Sequence, residues 1–259
     1  MQLYEFSTIV IAVTLFFAIS AANELGYGVG RYVQRRTTDE VKSLTGSIQG
    51  SILGLLALLL GFTFSMSMQK YDARTQALIE EAATIQQAQI GASLLPTKQQ
   101  DEIRSLLSQY IETKQELAHI SVIEHTQRQS QLKQVREIQY QLWQLSNDTQ
   151  LAPEIRSIIR ADFKRDAQIN NHVPDIVLYL LFFVFVTAVT ILGYSAGLSG
   201  KRLTVPIALV SILITLIVYI IIDLDRPKRG LIKTELTPLM SISDRQFLLN
   251  SDGSPAGFN

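Results

Sequence analysis

The sequence contains no cysteine, a single tryptophan and only three histidines among its 259 residues. The absence of cysteine excludes disulfides, thiolate chemistry and cysteine-ligated zinc or iron–sulfur sites. The histidines, His119, His125 and His172, lack the i, i+4 spacing of a helical metal pair, and no Gly-rich phosphate loop or nucleophile elbow occurs. Basic and acidic residues balance at 23 each, so no excess of positive charge indicates nucleic acid. We therefore expect no enzyme activity, metal, cofactor or nucleic-acid partner.

Charge is also scarce in four long runs of the chain, although charged residues are 18% of the whole. A helix that crosses a bilayer needs about 20 nearly uncharged residues, because the hydrocarbon offers no water to polar groups. The runs are Ser7–Leu25, Ile48–Met68, Ile176–Leu198 and Val205–Ile222. They predict an all-α membrane protein with four transmembrane helices. The amino-terminal MQLYEFS has no basic residue, so we expect the first helix to be retained rather than cleaved.

Between the second and third runs the composition becomes polar, with apolar residues three and four apart, which predicts amphipathic helices. Pro96 interrupts a helix, after which another apolar stripe follows, and Pro153 with Glu154 marks a helix start. One apolar stripe includes Ile155, Ile158 and Phe163, whereas the adjacent Glu80 and Glu81 indicate a solvated face. The sequence predicts a helical extramembrane domain inserted between transmembrane helices two and three. The predicted divisions are a first transmembrane hairpin (1–68), the helical domain (69–173), a second hairpin (174–225) and a C-terminal tail (226–259).

Helix two is expected to continue from the bilayer into the helical domain, because neither proline nor glycine interrupts 62–90. Its membrane half carries Gly46, Gly50 and Gly54 at four-residue spacing, a pattern that permits close approach of a second helix. That helix belongs either to another subunit, with helix two facing a pore, or to the same chain. Phe62 and Phe64 are candidates for an apolar pore constriction. Polar residues on the same helix are Ser47, Gln49, Ser51, Thr63, Ser65 and Ser67.

Three segments resemble the bacterial bestrophin-like domain membrane proteins: LGLLALLLGFTFSMSMQKYDARTQALIEEAATI (53–85), RDAQINNHVPDIVLYLL (165–181) and DLDRPKRGLI (223–232). The resemblance implies the four-helix membrane architecture. The chain also resembles, more distantly, the bestrophins, which are pentameric anion channels. This similarity rests on LGF (60–62) followed by Tyr71, Asp72 and Arg74. After Asp72 the chain reads ARTQALIEE and lacks the paired tryptophans of the bestrophin motif YDRWWE. The resemblance implies a homo-oligomer, a pentamer by analogy, in the bacterial inner membrane.

Orientation in the membrane is predicted from the positive-inside rule. The basic residues Arg31, Arg35, Arg36 and Lys42 follow the first helix, and Lys201 with Arg202 join the third to the fourth. This distribution favours both termini and the helical domain outside the cytoplasm, whereas the bestrophin analogy implies a cytosolic domain.

Charged residues cluster where helices are expected to leave the membrane, and ionisable groups at that depth are costly and often functional. The residues expected on one membrane face are Asp72, Arg74, Asp175, Asp223, Asp225 and Arg226. They form either a cation site or gating latch, or a solvated helix end with local pairing. On the opposite face Gly26, Gly28 and Gly30 indicate either a flexible vestibule or a simple helix exit.

Two functional hypotheses follow from these patterns. The first is a homo-oligomeric, bestrophin-like ion channel in which helix two lines the pore and Phe62, Phe64 and Ser65 lie along it. The second is a non-conducting membrane scaffold or sensor whose helical domain binds a protein partner. Membrane lipid is an expected partner in both cases.

Overall fold

The structure is a computed structural model that describes residues 8–120, 125–200, 204–226 and 238–239. These residues contain seven α-helices and no strand. The helices are α1 (Thr8–Val33), α2 (Asp39–Ala92), α3 (Thr97–His119), α4 (His125–Ser146), α5 (Ala152–Ile169), α6 (Asp175–Ser199) and α7 (Thr204–Asp225), with a short 3-10 helix at Gln34–Arg36. Four of them, α1, α2, α6 and α7, are long and apolar enough to cross a membrane. The all-α class and the four candidate spans therefore agree with the sequence prediction.

Helix α2 is one continuous helix of 54 residues, as the absence of interrupting proline indicated. The chain forms two compact units, the first comprising Met1–Tyr71 with His172–Lys233 and the second Asp72–Asn171 with Thr234–Asn259. Most of the C-terminal tail predicted for 226–259, and the loop residues Lys201 and Arg202, lie outside the described residues.

The core of the first unit is formed by apolar side chains of α1, α2, α6 and α7. Leu56 is the fully buried contribution of α2. The other buried members are Leu15, Ile19, Leu181, Val184, Phe185, Ala188, Val189, Ile214 and Val218. The second unit has its own core, in which α2 supplies Leu78 and Ile85 and the other helices supply Ile103, Leu107, Tyr110, Ile138, Leu142, Ile155 and Ile158.

The apolar stripe predicted on α5 matches this core, with one exception. Pro96 precedes α3 and Pro153 lies in the first turn of α5, as expected. Ile155 and Ile158 are buried, but Phe163 is 77% exposed and does not belong to the core face. On α5, Phe163 lies eight residues after Ile155, so its direction has turned by about 80° from the buried stripe.

Glycines join α1 to α6 through close contact of the two backbones. A Cβ added to Gly26 or Gly30 would come within 3.0 Å of backbone atoms of Thr190 or Tyr194 on α6. Gly193 and Gly197 make the reciprocal approach to α1. Both helices therefore carry two glycines four residues apart at one contact, the small-xxx-small arrangement of membrane helix pairs.

This contact corrects two expectations for the glycines after Leu25. The helix exit is wrong, because α1 continues through these glycines to Val33, about two turns beyond the predicted end. The flexible vestibule is also wrong for Gly26 and Gly30, which are buried. Only Gly28 faces open space. Helix propensity alone suggested a weak helix, but packing of the two backbones stabilises it.

Candidate functional site

The membrane half of α2 presents an exposed face of small residues. Apart from the neighbouring backbone of α2 itself, a Cβ added to Gly46, Gly50, Gly54 or Gly61 would meet no atom of the described residues within 4 Å. The buried side of the same segment is formed by Leu56, with Thr63 and Ser67 further along. Among the helices that the structure describes, the glycines therefore do not mediate packing within one chain, which was one of the two alternatives in the sequence.

The aromatic and polar residues of this segment divide between the two faces. Phe62 and Phe64 are both exposed, at 64% and 42%. Residues two apart on a helix point about 160° away from each other, so the two rings do not share a face. Phe64 and Ser65 lie three and four residues after Gly61, on the small-residue face. Thr63 and Ser67 are buried, so the polar residues do not form one lining.

The first unit also contains a groove between α1, α6 and α7, with a volume of about 520 Å³. Its walls are aliphatic and aromatic, and only Thr14 and Tyr179 contribute polar groups. A hydrated ion requires polar groups to replace its water, so this groove is unsuited to ion passage through one copy of the chain.

The C-terminal end of α7 holds the segment that precedes α6. The backbone N–H of Val173 donates to Oδ1 of Asp225 at 3.0 Å, and Nδ1 of His172 lies 3.6 Å from Oδ2 of the same carboxylate. Asp223, Asp225 and Arg226 are all buried, with Asp223 only 1% exposed. The interpretation of Asp225 as a solvated helix end is therefore wrong, because the segment before α6 packs on its carboxylate. Local pairing of Asp223 with Arg226 stays a prediction.

Asp225 has a structural role that can be measured. We expect Asp225→Ala to lower the free energy of unfolding by about 1–3 kcal/mol, because it removes the acceptor of the buried Val173 N–H. Asp225→Asn retains an acceptor oxygen and should cost less. The measurement is the temperature at which purified protein loses its monodisperse peak in size-exclusion chromatography. Asp72→Ala, at an exposed position, is the matched control, and equal melting of the two alanine variants would contradict the assignment.

Arg74 has a different set of partners in the second unit. Its Nε donates to the carbonyl of Gln168 at 3.2 Å and its NH2 group donates to the carbonyl of Asn171 at 3.0 Å. These carbonyls lie at the C-terminal end of α5, where helix ends leave acceptors unsatisfied and a positive charge is favoured. Asp72 is exposed and Asp175 is half-buried. One charged face or latch formed by all six predicted residues stays a prediction.

A buried ionic network in the second unit was missed by the sequence analysis. Glu81 is completely buried, and its carboxylate accepts from the Tyr110 hydroxyl at 2.9 Å and from Arg165 at 2.5 Å, with Lys114 Nζ at 3.1 Å. Lys114 also pairs with Asp162, which accepts from Gln139 at 2.7 Å. The network joins α2, α3, α4 and α5, and its two acids balance its two bases.

The prediction that Glu80 and Glu81 share a solvated face is wrong for Glu81. Only Glu80 is half-exposed, where it pairs with Lys164. The spacing of the sequence could have indicated that Glu81 is buried, since it lies three residues after Leu78 and four before Ile85, both fully buried. A carboxylate on an apolar stripe indicates a buried partner of opposite charge.

Electrostatics within this network favour an ionised Glu81 and a neutral Tyr110. Burial raises the pKa of Glu81, but the charges of Lys114 and Arg165 and the hydrogen bonds from Arg165 and Tyr110 outweigh it, so the pKa lies below 4.5. Burial, followed by the charges of Glu81 and Asp162, raises the pKa of Tyr110 well above 10.0, so its hydroxyl keeps the proton that it donates. The described residues hold no group of three or more potential metal ligands, and the side chains of His119 and His125 lie outside them.

The apolar helices and the all-helical content of the described residues define a multi-pass, all-α membrane protein. Comparison with known families gives a match to the bestrophin-like domain over residues 16–239. The match covers most of the chain, so the protein belongs to the bestrophin-like family, as the resemblance of the three segments indicated. Searches of curated proteins and of solved structures found no match.

Proposed function

We propose that the protein is a homo-oligomeric ion channel of the inner membrane in which α2 from each copy lines the pathway. The observation that carries this proposal is the exposed face of Gly46, Gly50, Gly54 and Gly61. Each glycine in a helix interior costs about 1 kcal/mol relative to alanine. Four on one face therefore need a compensating gain, which close approach of a neighbouring copy or a narrow pathway supplies.

The apolar groove of the first unit also favours an ion pathway between copies over a pathway through a single copy. The groove of α1, α6 and α7 is apolar, so it offers an ion no substitute for its water. A closed ring of α2 helices, in contrast, would place the exposed hydroxyls of Ser47 and Ser65 near the axis. By analogy with the bestrophins the ring has five copies and the permeant ion is an anion.

Phe64 is the proposed constriction of this pathway, because it borders the glycine face whereas Phe62 points away from it. A ring of phenylalanines can stop conduction by excluding water. We expect Phe64→Ala to raise the current severalfold in planar bilayers, since the smaller side chain keeps the constriction hydrated. Phe62→Ala is the matched control and should conduct like the unaltered protein. The currents are recorded in chloride, in potassium and in large impermeant salts.

Each outcome of these recordings discriminates between the hypotheses. Equal effects of Phe62→Ala and Phe64→Ala would show that the glycine face does not line the pathway. Absence of current under every condition, with folding confirmed, would instead favour the non-conducting scaffold whose helical domain binds a protein partner.

The orientation that we propose follows the positive-inside rule. Arg31 donates to the carbonyl of Gly200 at 3.3 Å, so the end of α1 and the end of α6 lie together in the first unit. The basic residues Arg31, Arg35, Arg36 and Lys42 follow one another at this end and favour its cytoplasmic placement. The inserted helical domain is then extramembrane and outside the cytoplasm.

A further inference from the structure

The part of α2 that belongs to the second unit has an exposed face at alternating spacings of three and four residues. This face consists of Gln76, Ile79, Ala83, Gln86 and Ile90, all of them exposed. Ile79 and Ile90 are 51% and 60% exposed. The opposite side of the helix carries Leu78, Ile85 and Ala88 into the core of the unit. Besides its buried apolar stripe, this part of α2 therefore has a second face at helical spacing, and that face is exposed.

This face differs from the other surfaces of the second unit because it lacks charged residues. None of the five residues of the face is charged, and no charged residue occurs in the sequence from Ala82 to Thr97. The exposed Glu80 beside the face is paired with Lys164. Exposed positions on α3 and α4 are instead rich in charge and include Asp101, Glu102, Glu112, Lys133, Arg136 and Glu137. A helix face in contact with water is normally charged, whereas the centres of protein interfaces are depleted of charge. The α2 face thus has the composition of an interface centre.

The chemistry of the face indicates which partner covers it. A three-and-four spacing is the pattern of helices that pack by inserting side chains into holes of a partner helix. The glutamine amides of Gln76 and Gln86 each donate and accept hydrogen bonds, so identical glutamines on two copies satisfy one another. We infer that this face, Gln76–Ile90, packs against the α2 helix of a second copy of the chain, an inference that rests on the proposed homo-oligomer.

The absence of native cysteine makes this contact directly measurable. The test introduces Ile79→Cys and Ala83→Cys separately into the full chain, oxidises native membranes with copper–phenanthroline and examines non-reducing gels. A disulfide requires Cα atoms within about 7 Å, so a covalent dimer reports direct contact between copies. We expect most of the chain to be cross-linked in both variants. Arg136→Cys, at an exposed position on α4, is the matched control and should remain largely uncrosslinked.

Two further measurements separate the failure of this contact from failure of the oligomer. The mass of each purified variant is determined in detergent, and the fluorescence of the single tryptophan, Trp143 of the second unit, confirms its folding. Oligomeric mass without cross-linking at Ile79 and Ala83 would overturn the inference and leave the proposed oligomer standing. Monomeric mass would overturn both. Cross-linking to a different protein in place of the second copy would overturn the inference in favour of a hetero-partner.

Discussion

Glu81→Ala is expected to destabilise the second unit by about 3–5 kcal/mol, because removing one partner of a buried ion network leaves the remaining charges uncompensated. Lys114 and Arg165 lose the carboxylate that both contact, and Tyr110 loses its acceptor. Trp143 packs at the edge of the second unit's core, so its fluorescence during thermal unfolding reports this unit. The measurement needs no labelling, since the chain has a single tryptophan.

The neighbouring glutamate supplies the control for this substitution. Glu80 is 46% exposed in its pair with Lys164, and exposed pairs contribute about 0–1 kcal/mol, so Glu80→Ala should unfold almost like the unaltered protein. Similar loss of stability in Glu80→Ala and Glu81→Ala would contradict the assignment. Such a result would indicate that the helix surface, rather than the buried network, determines the stability of the unit.

The pKa of Glu81 predicts how acid affects this unit. Because its folded pKa lies below 4.5, Glu81 contributes stability above that pH and loses it as the pH falls through the folded value. Asp166 acts with opposite sign, since burial raises its pKa above 3.8 and its contribution declines as the pH rises through the raised value. Glu81→Gln should therefore flatten the loss of stability on acidification, and an unchanged pH profile would exclude Glu81 as its source.

Gly26→Ala is expected to have the second large effect, because even one methyl group would overlap backbone atoms of Thr190 on α6. Backbone atoms cannot yield as a flexible side chain does, so the two helices must separate along their contact. Overpacking typically costs about 1–3 kcal/mol, and we expect a corresponding drop in the unfolding temperature and in the yield from membranes. Gly193→Ala enters the same contact from α6 and should behave alike.

Gly28 provides a matched control on the same helix, two residues away. It faces open space, so Gly28→Ala adds no overlap and gains up to about 1 kcal/mol of helix propensity. We expect its stability to be unchanged or slightly higher. If Gly26→Ala and Gly28→Ala were equally stable, the close approach of α1 and α6 would not be an important source of stability.

Sequence patterns were sufficient to predict the features that depend on a single helix. The four apolar runs predicted α1, α2, α6 and α7, because the bilayer imposes length and apolarity on every residue of a span. The uninterrupted stretch after Phe62 predicted the continuous α2. Pro96 predicted a break between helices and Pro153 a helix start, since proline lacks the N–H that an interior position would need.

The sequence did not reveal which helices pack against each other, and two cases show why. Spacing made Gly26 and Gly30 equivalent to Gly46, Gly50 and Gly54, yet only the first pair touches another helix of this chain. Phe163 continued an apolar stripe but is exposed, because no neighbouring helix covers that side of α5.

The sequence by itself determined the class of protein, the family, the number of candidate spans and the helices, since these depend on periodicity and composition within short segments. Only the tertiary structure decided that Glu81 is buried, because its burial depends on Lys114 and Arg165, which lie 33 and 84 residues away in the chain. It also decided that Asp223 and Asp225 are enclosed rather than solvated. The physical reason is common to both cases: the cost of burying a charge is offset by groups distant in sequence, and nothing in the local pattern specifies which groups these are.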